Sequence, residues 1–155
     1  MNNPVSGMQS LKVLIVDDDP ETAQGLAELL GTRGHDARVA YDGRSAIRNV
    51  RNDDYHLVLL DIGLPDMDGY EVARRLTLLG QRRLSIVALT GYDSDEDLRR
   101  SDGAGFDDHI VKPCGSDQLE QILLRAMSKS KGLIAGRRTR SGSSDGIERA
   151  AAAGD

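Results

Sequence analysis

Tryptophan is absent from this 155-residue sequence, and phenylalanine and cysteine each occur once. Any hydrophobic core must therefore be mainly aliphatic. The lone cysteine, Cys114, excludes an internal disulfide and is typical of a reducing compartment. No apolar run approaches the roughly 20 residues of a membrane-spanning helix, and residues 1–10 lack the charge and apolar pattern of a signal peptide. We therefore expect a cytoplasmic protein that is not inserted in a membrane.

Positive charge is scarce along most of the chain and is concentrated at its end. Residues 1–128 hold 14 Lys/Arg against 22 Asp/Glu, whereas residues 129–155 hold 6 against 3. An acidic body disfavours nonspecific binding to nucleic acid, which needs clustered positive charge. Residues 129–155 are rich in Gly and Ser and lack hydrophobic periodicity, which predicts a disordered tail. Residues 1–9 are predicted to be a flexible N-terminus.

Short apolar segments alternate with segments whose apolar residues recur at helical spacing. The predicted strands are residues 11–16, 35–40, 57–60, 84–89 and 106–111. Five helices are predicted to alternate with them, of which the fourth, residues 94–103, offers little more than Leu98 to a core. This alternation predicts an α/β domain over residues 10–128, with a parallel sheet covered by helices on both faces. Right-handed crossovers make the fold doubly wound.

Reactive side chains stand where the predicted strands end. Asp17 and Asp18 follow the first strand, Asp61 the third, Thr90 the fourth and Lys112 the fifth. In open α/β sheets, ligands bind outside the carboxyl ends of the strands, so we expect these side chains to converge. Adjacent carboxylates repel one another unless a cation neutralises them. Hard oxygen ligands without nearby Cys or His favour Mg²⁺ over zinc or copper.

Four stretches of the sequence resemble, in order, the signature segments of response-regulator receiver domains of two-component, or phosphorelay, signalling. They are VDDDP at residues 16–20, LDIGLPDMDGYE at 60–71, ALTG at 88–91 and VKP at 111–113. The resemblance covers about residues 10–128. It implies a flavodoxin-like fold with strand order 2-1-3-4-5. It also implies a signalling switch that catalyses only its own phosphorylation and slow dephosphorylation, rather than an enzyme acting on other substrates.

The resemblance assigns roles to the residues at the strand ends. Asp61 would accept a phosphoryl group from a histidine kinase or a histidine phosphotransfer protein, and aspartyl phosphates are known covalent intermediates. Asp17, Asp18, Asp61 and the backbone carbonyl of Gly63 would hold Mg²⁺, or Mn²⁺ in its place. Lys112 would pair with a phosphoryl oxygen as a mobile point charge.

Two further residues would carry the signal away from Asp61. Thr90 would hydrogen-bond a phosphoryl oxygen and act with a switch side chain on the fifth strand. Receivers often place Tyr or Phe three residues before the lysine, where this sequence has His109. The alternative for His109 is a solvent-exposed histidine without a switching role.

The resemblance implies that output passes through a downstream effector protein, and a phosphorylation-dependent dimer is compatible with it. The 27 residues after Ser128 are too few for a DNA-binding module, since domains seldom fall below about 50 residues. We therefore expect no direct DNA binding. The residues do not distinguish a stand-alone receiver from one that belongs to a hybrid kinase.

Two other functions remain open from the sequence alone. A phosphatase of the haloacid-dehalogenase type also uses an aspartate nucleophile, a lysine and Mg²⁺, and it would use the pair Asp17 and Asp19. That assignment leaves Asp61 unexplained, and Asp19 before Pro20 is itself predicted to be a helix N-cap. A receiver that is no longer phosphorylated and serves only in binding is the second alternative. The segment 66–69 is predicted to be a turn and a helix cap.

Overall fold

The computed structural model describes residues 10–91 and 103–132. The strands are β1 (Lys12–Val16), β2 (Asp36–Ala40), β3 (Leu57–Asp61), β4 (Ser85–Thr90) and β5 (Asp108–Val111). The helices among these residues are α1 (Pro20–Thr32), α2 (Gly43–Asn52), α3 (Gly69–Leu78) and α4 (Ser116–Ser130). No helix in the described ranges is long and apolar enough to cross a membrane.

The five strands form one parallel sheet in the order β2-β1-β3-β4-β5. This confirms the predicted doubly wound, flavodoxin-like fold. The central strands are buried on both faces, as parallel sheets covered by helices require. Along β1, Leu14 and Val16 pack into the cluster beneath α2 and α3. Val13 and Ile15 point to the opposite face, into the cluster beneath α1 and α4.

The first three helices each begin directly after an aspartate, because a carboxylate satisfies amide groups that the helix leaves without partners. Asp19 accepts a hydrogen bond from the Glu21 N–H, and the predicted cap is thus confirmed. Asp42 caps α2, and Asp68 caps α3.

Some element boundaries differ from the prediction. β3 and β4 each extend one residue further, to include Asp61 and Thr90. α4 continues to Ser130, two residues past the predicted end of the domain at 128. The predicted helix at 94–103 lies outside the described residues except for Gly103, as do residues 1–9 and the tail beyond residue 132. Four of the five predicted helices are therefore described.

Candidate functional site

The sheet register brings the reactive residues to one edge. Val16 pairs with Leu60, so the residues that follow, Asp17 and Asp61, leave adjacent strands at the same level. On the next strand, Thr90 is the last residue of β4 and pairs with Val111, which directly precedes Lys112. The strand order therefore brings the ends of these strands together, as the sequence predicts, because all strands of a parallel sheet end at the same edge.

Three carboxylates converge at this edge. One oxygen atom from each of Asp17, Asp18 and Asp61 lies within 4.8 Å of the other two. Asp17 is buried, Asp61 is half-buried and Asp18 is exposed. Backbone amides orient the two inner groups, since Asp17 Oδ1 accepts from the Asp19 N–H at 3.0 Å and Asp61 Oδ1 accepts from the Gly63 N–H at 3.1 Å.

Lys112 supplies the positive charge of the cluster. Its Nζ lies 3.2 Å from Asp17 Oδ2 and 3.4 Å from Asp61 Oδ2. Burial opposes the charge on this ammonium, but the carboxylates of Asp61 and Asp17 outweigh burial and raise the pKa of Lys112. Lys112 therefore stays protonated at neutral pH. The peptide bond between Lys112 and Pro113 is cis.

Asp61 has the environment of a carboxylate whose charge is only partly compensated. Burial raises the pKa of Asp61, and the neighbouring Asp17 adds to this increase. The Gly63 N–H and the Lys112 ammonium act in the opposite direction. Three carboxylates and one ammonium leave excess negative charge, and hard oxygen donors suit a divalent cation such as Mg²⁺. The donor set therefore fits the predicted metal.

Thr90 and His109 lie on neighbouring strands and on the same face of the sheet. Thr90 is buried, and its carbonyl oxygen accepts from the Lys112 N–H at 2.7 Å. His109 is half-buried and pairs in register with Ala88, two residues before Thr90. Side chains two residues apart along a strand share a face, and paired residues of parallel strands do so as well.

Asp19 belongs to the helix and not to the carboxylate cluster. Its Oδ1 accepts from the Glu21 N–H at 3.3 Å and its Oδ2 from the Thr22 hydroxyl at 2.6 Å. Both oxygens of Asp19 are therefore engaged in capping α1, whereas Asp17 faces Lys112. This geometry does not support the pair of Asp17 and Asp19 that a haloacid-dehalogenase mechanism requires.

Asp66 makes a contact that the sequence does not predict, since residues 66–69 are predicted only to form a turn and a helix cap. Its carboxylate accepts hydrogen bonds from the N–H groups of Gly43 and Arg44, the first two residues of α2. Asp66 thus connects the loop after Asp61 to another helix. No local sequence pattern signals this contact, because the partners are 22 and 23 residues apart.

The known proteins most relevant to this chain are receiver domains and proteins that contain a similar segment. The family model of the response regulator receiver domain matches residues 13–124. A gliding motility regulatory protein of Myxococcus xanthus is 38% identical over 117 residues, which are 74% of this chain and 15% of that protein. The chain therefore spans a small part of the length of this curated relative.

Solved structures of receiver domains superpose on nearly their whole length. The response regulator receiver domain protein of Methanospirillum hungatei is 30% identical with a TM-score of 0.74, covering 80% of this chain and 99% of that one. The receiver domain of a Pseudomonas aeruginosa sensor histidine kinase is 29% identical with a TM-score of 0.71, covering 77% and 99%. It holds a magnesium ion in its active-site cleft. The present chain belongs to the response-regulator receiver-domain family.

Proposed function

We propose that this chain is a phosphoacceptor switch in which Asp61 takes a phosphoryl group from the phosphohistidine of a histidine kinase or phosphotransfer protein. The observation that carries the proposal is the half-buried Asp61 carboxylate, 3.4 Å from the Lys112 ammonium and clustered with Asp17 and Asp18. Such a carboxylate is accessible as a nucleophile, and charged groups are already in place around it.

The transfer itself makes one bond and breaks one. A carboxylate oxygen of Asp61 attacks phosphorus, and the bond from phosphorus to the donor's imidazole nitrogen breaks. The electron pair of that bond remains on the nitrogen. Lys112 stays protonated and pairs with an oxygen of the negatively charged phosphoryl group as that group moves to Asp61. The hydroxyl of Thr90 would donate a hydrogen bond to another phosphoryl oxygen, since Thr90 directly follows Leu89, the residue of β4 that pairs with Asp61.

The carboxylates of Asp17, Asp18 and Asp61, with the backbone carbonyl of Gly63, would hold Mg²⁺ or Mn²⁺. The metal would offset the repulsion between the acids and the incoming phosphoryl and would stabilise charge on its oxygens. Asp17 is 1% exposed, so its charge is the least hydrated of the three and gains most from a cation.

The signal would leave through Thr90 and His109. Movement of Thr90 towards the phosphoryl would open space on the face that it shares with His109, and His109 would turn towards that space. The surface near β5 would then bind a downstream effector or a second copy of the chain. We also propose a cytoplasmic location, because a single cysteine is typical of a reducing compartment.

The test is the mass of the protein after incubation with acetyl phosphate. We expect a gain of one phosphoryl group that requires Mg²⁺ and disappears in Asp61→Asn. Asp54→Asn is the matched control, because Asp54 is an exposed acid in the loop before β3. Turnover of acetyl phosphate without an Asp61-dependent adduct would favour a phosphatase instead. Mg²⁺ binding without an adduct would favour the binding-only receiver.

A further inference from the structure

Asp66 connects the loop that follows the phosphoacceptor to the start of α2. Its Oδ1 accepts from the Gly43 N–H at 2.8 Å, and its Oδ2 accepts from the Arg44 N–H at 3.1 Å. Both N–H groups lie in the first turn of α2, where no intrahelical acceptor is available and the helix dipole favours negative charge. One carboxylate thus attaches the loop to two successive amides of another helix.

The loop consists of residues 62–68, and hydrogen bonds also hold its base, where its two ends meet. The Ile62 N–H donates to the Leu89 carbonyl at 3.2 Å, and the Gly69 N–H donates to the Ile62 carbonyl at 3.0 Å. A Cβ at Gly69 would lie 2.5 Å from Ile62 Cα, so the two ends of the loop meet at a distance that only glycine permits. Gly63 lies between this base and the Asp66 attachment.

Packing at the tip adds to the hydrogen bonds. A Cβ at Gly43 would lie 2.8 Å from Val72 Cγ2 and 3.1 Å from Met67 Cβ. The start of α2 therefore rests directly on the loop and on α3. Asp66 lies in this contact, so loss of its carboxylate would remove both hydrogen bonds at the tip and leave only the packing there, while the base stays closed.

We propose that Asp66 is a positioning residue, which holds the 62–68 loop against α2 and thereby fixes Gly63 relative to Asp61. This inference rests on the proposed function, in which the Gly63 carbonyl and the Asp61 carboxylate share a metal ion. A loop fixed at both ends loses less conformational entropy when its ligands bind an ion. Its benefit should therefore appear as metal affinity and not only as stability.

The chain offers a control for the structural part of this role. Asp42 is the N-cap of the same helix, and its Oδ1 accepts from the Ser45 N–H at 2.8 Å. Among the hydrogen bonds of the described residues, that carboxylate makes none to the 62–68 loop. Asp42→Ala therefore removes a cap of α2 without releasing the loop. Asp66→Ala removes two hydrogen bonds to the start of α2 and also releases the loop.

The experiment compares wild type, Asp66→Ala, Asp66→Asn and Asp42→Ala in calorimetric titrations with Mg²⁺. We expect Asp66→Ala to weaken Mg²⁺ binding on the order of tenfold, the lower end of the range for groups that orient metal ligands. Asp66→Asn retains one acceptor oxygen and should fall between wild type and Asp66→Ala. Asp42→Ala should bind Mg²⁺ like wild type. In buffer without Mg²⁺, amide hydrogen exchange at Gly63 should accelerate in Asp66→Ala but not in Asp42→Ala.

Equal losses of Mg²⁺ affinity in Asp66→Ala and Asp42→Ala would overturn the proposal, since both would then report only the stability of α2. Unchanged affinity in both Asp66 variants would overturn it as well. If Asp66→Ala does not fold, Asp66→Asn decides by the same comparison. A wild type that binds no Mg²⁺ would overturn the proposed function, and Gly63 exchange would still show whether Asp66 orders the loop.

Discussion

Lys112 Nζ lies 3.4 Å from Asp61 Oδ2, although Lys112 follows β5 and Asp61 ends β3, and β4 lies between these two strands. The same ammonium is 3.2 Å from Asp17 Oδ2, and Asp17 is 1% exposed. A buried carboxylate without a countercharge is costly, because desolvation penalises the charged form. Lys112 therefore stabilises the folded protein as well as serving the proposed chemistry.

We predict that Lys112→Ala lowers the free energy of unfolding in Mg²⁺-free buffer by about 1–3 kcal/mol, the cost of leaving a buried group without its partner. Addition of Mg²⁺ should reduce this difference, because a cation at the carboxylates replaces part of the lost charge. Urea unfolding with and without Mg²⁺ measures both effects. Lys131→Ala is the control, as Lys131 is exposed. Equal stability of the two variants would show that Asp17 does not need Lys112.

A second prediction concerns Asp18, the exposed member of the carboxylate cluster. Mg²⁺ should raise the melting temperature of wild type by mass action, because it binds the folded state. Asp18→Asn removes one of the proposed metal ligands and should reduce that increase. It also removes repulsion with Asp17 and Asp61, so the variant without Mg²⁺ should be no less stable than wild type. A thermal-melt series over Mg²⁺ concentration tests both statements. An unchanged Mg²⁺ effect would exclude Asp18 from the site.

A third prediction concerns pH and His35, at the opposite edge of the sheet. His35 is 7% exposed, and its Nδ1 accepts a hydrogen bond from the Leu11 N–H at 3.0 Å. Burial lowers the pKa of His35, with Glu120 opposing this shift and Arg33 adding to it. The hydrogen bond likewise requires an unprotonated Nδ1. The folded protein therefore holds His35 neutral at pH values where the unfolded chain is already protonated.

Because the unfolded state takes up the proton at a higher pH than the folded state does, His35 makes the protein less stable as the pH falls. Above about pH 6.5, the ordinary histidine pKa, both states are neutral and the contribution of His35 to stability is complete. As pH falls below that value, the unfolded state binds the proton first, and stability decreases until the lower folded pKa is reached. Urea unfolding between pH 5 and 8 should show a smaller decrease for His35→Gln than for wild type. Identical pH profiles would contradict the prediction.

The convergence of the site residues at one edge of the sheet could be predicted from the sequence, because it depends only on where each strand ends. Each of Asp17, Asp61, Thr90 and Lys112 ends or directly follows an apolar segment. Parallel strands place all such positions at one edge, so the strand order alone brings them together. The burial of Asp17 and the distances to Lys112 required the structure.

The long-range contacts could not be predicted, because polar pairs far apart in sequence follow no periodic pattern. The predicted tail, residues 129–155, includes Lys129, yet Lys129 lies in α4 and its Nζ donates to Asp107 Oδ1 at 2.8 Å. The predicted fifth strand begins at Phe106. Phe106 instead packs edge-on against Tyr70, with ring centroids 6.0 Å apart, and the strand begins two residues later.

The contact of Lys129 with Asp107 gives a fourth prediction. Asp107 also accepts from the Ile86 N–H through Oδ2 at 2.8 Å, so it connects α4 to β4. The Lys129 and Asp107 side chains are 14% and 15% exposed, which limits screening by solvent. Lys129→Met should lower the free energy of unfolding by about 1.5–3 kcal/mol, the range for hydrogen bonds to charged groups. Lys131→Met is the control, and equal stability of the two variants would contradict the prediction.

The last prediction concerns how a phosphoryl group at Asp61 is sensed. Thr90 and His109 share one face of the sheet. A ligand shifts a conformational equilibrium only if it makes different contacts with the two states. The hydroxyl of Thr90 is the group that we expect to make the different contact. Binding of beryllofluoride, a phosphoryl mimic, should therefore shift the amide resonances of Asp108–Val111 in wild type and in Thr90→Ser. Thr90→Ala should bind the mimic at Asp61 with much smaller shifts along β5. Full shifts in Thr90→Ala would show that another group transmits the signal.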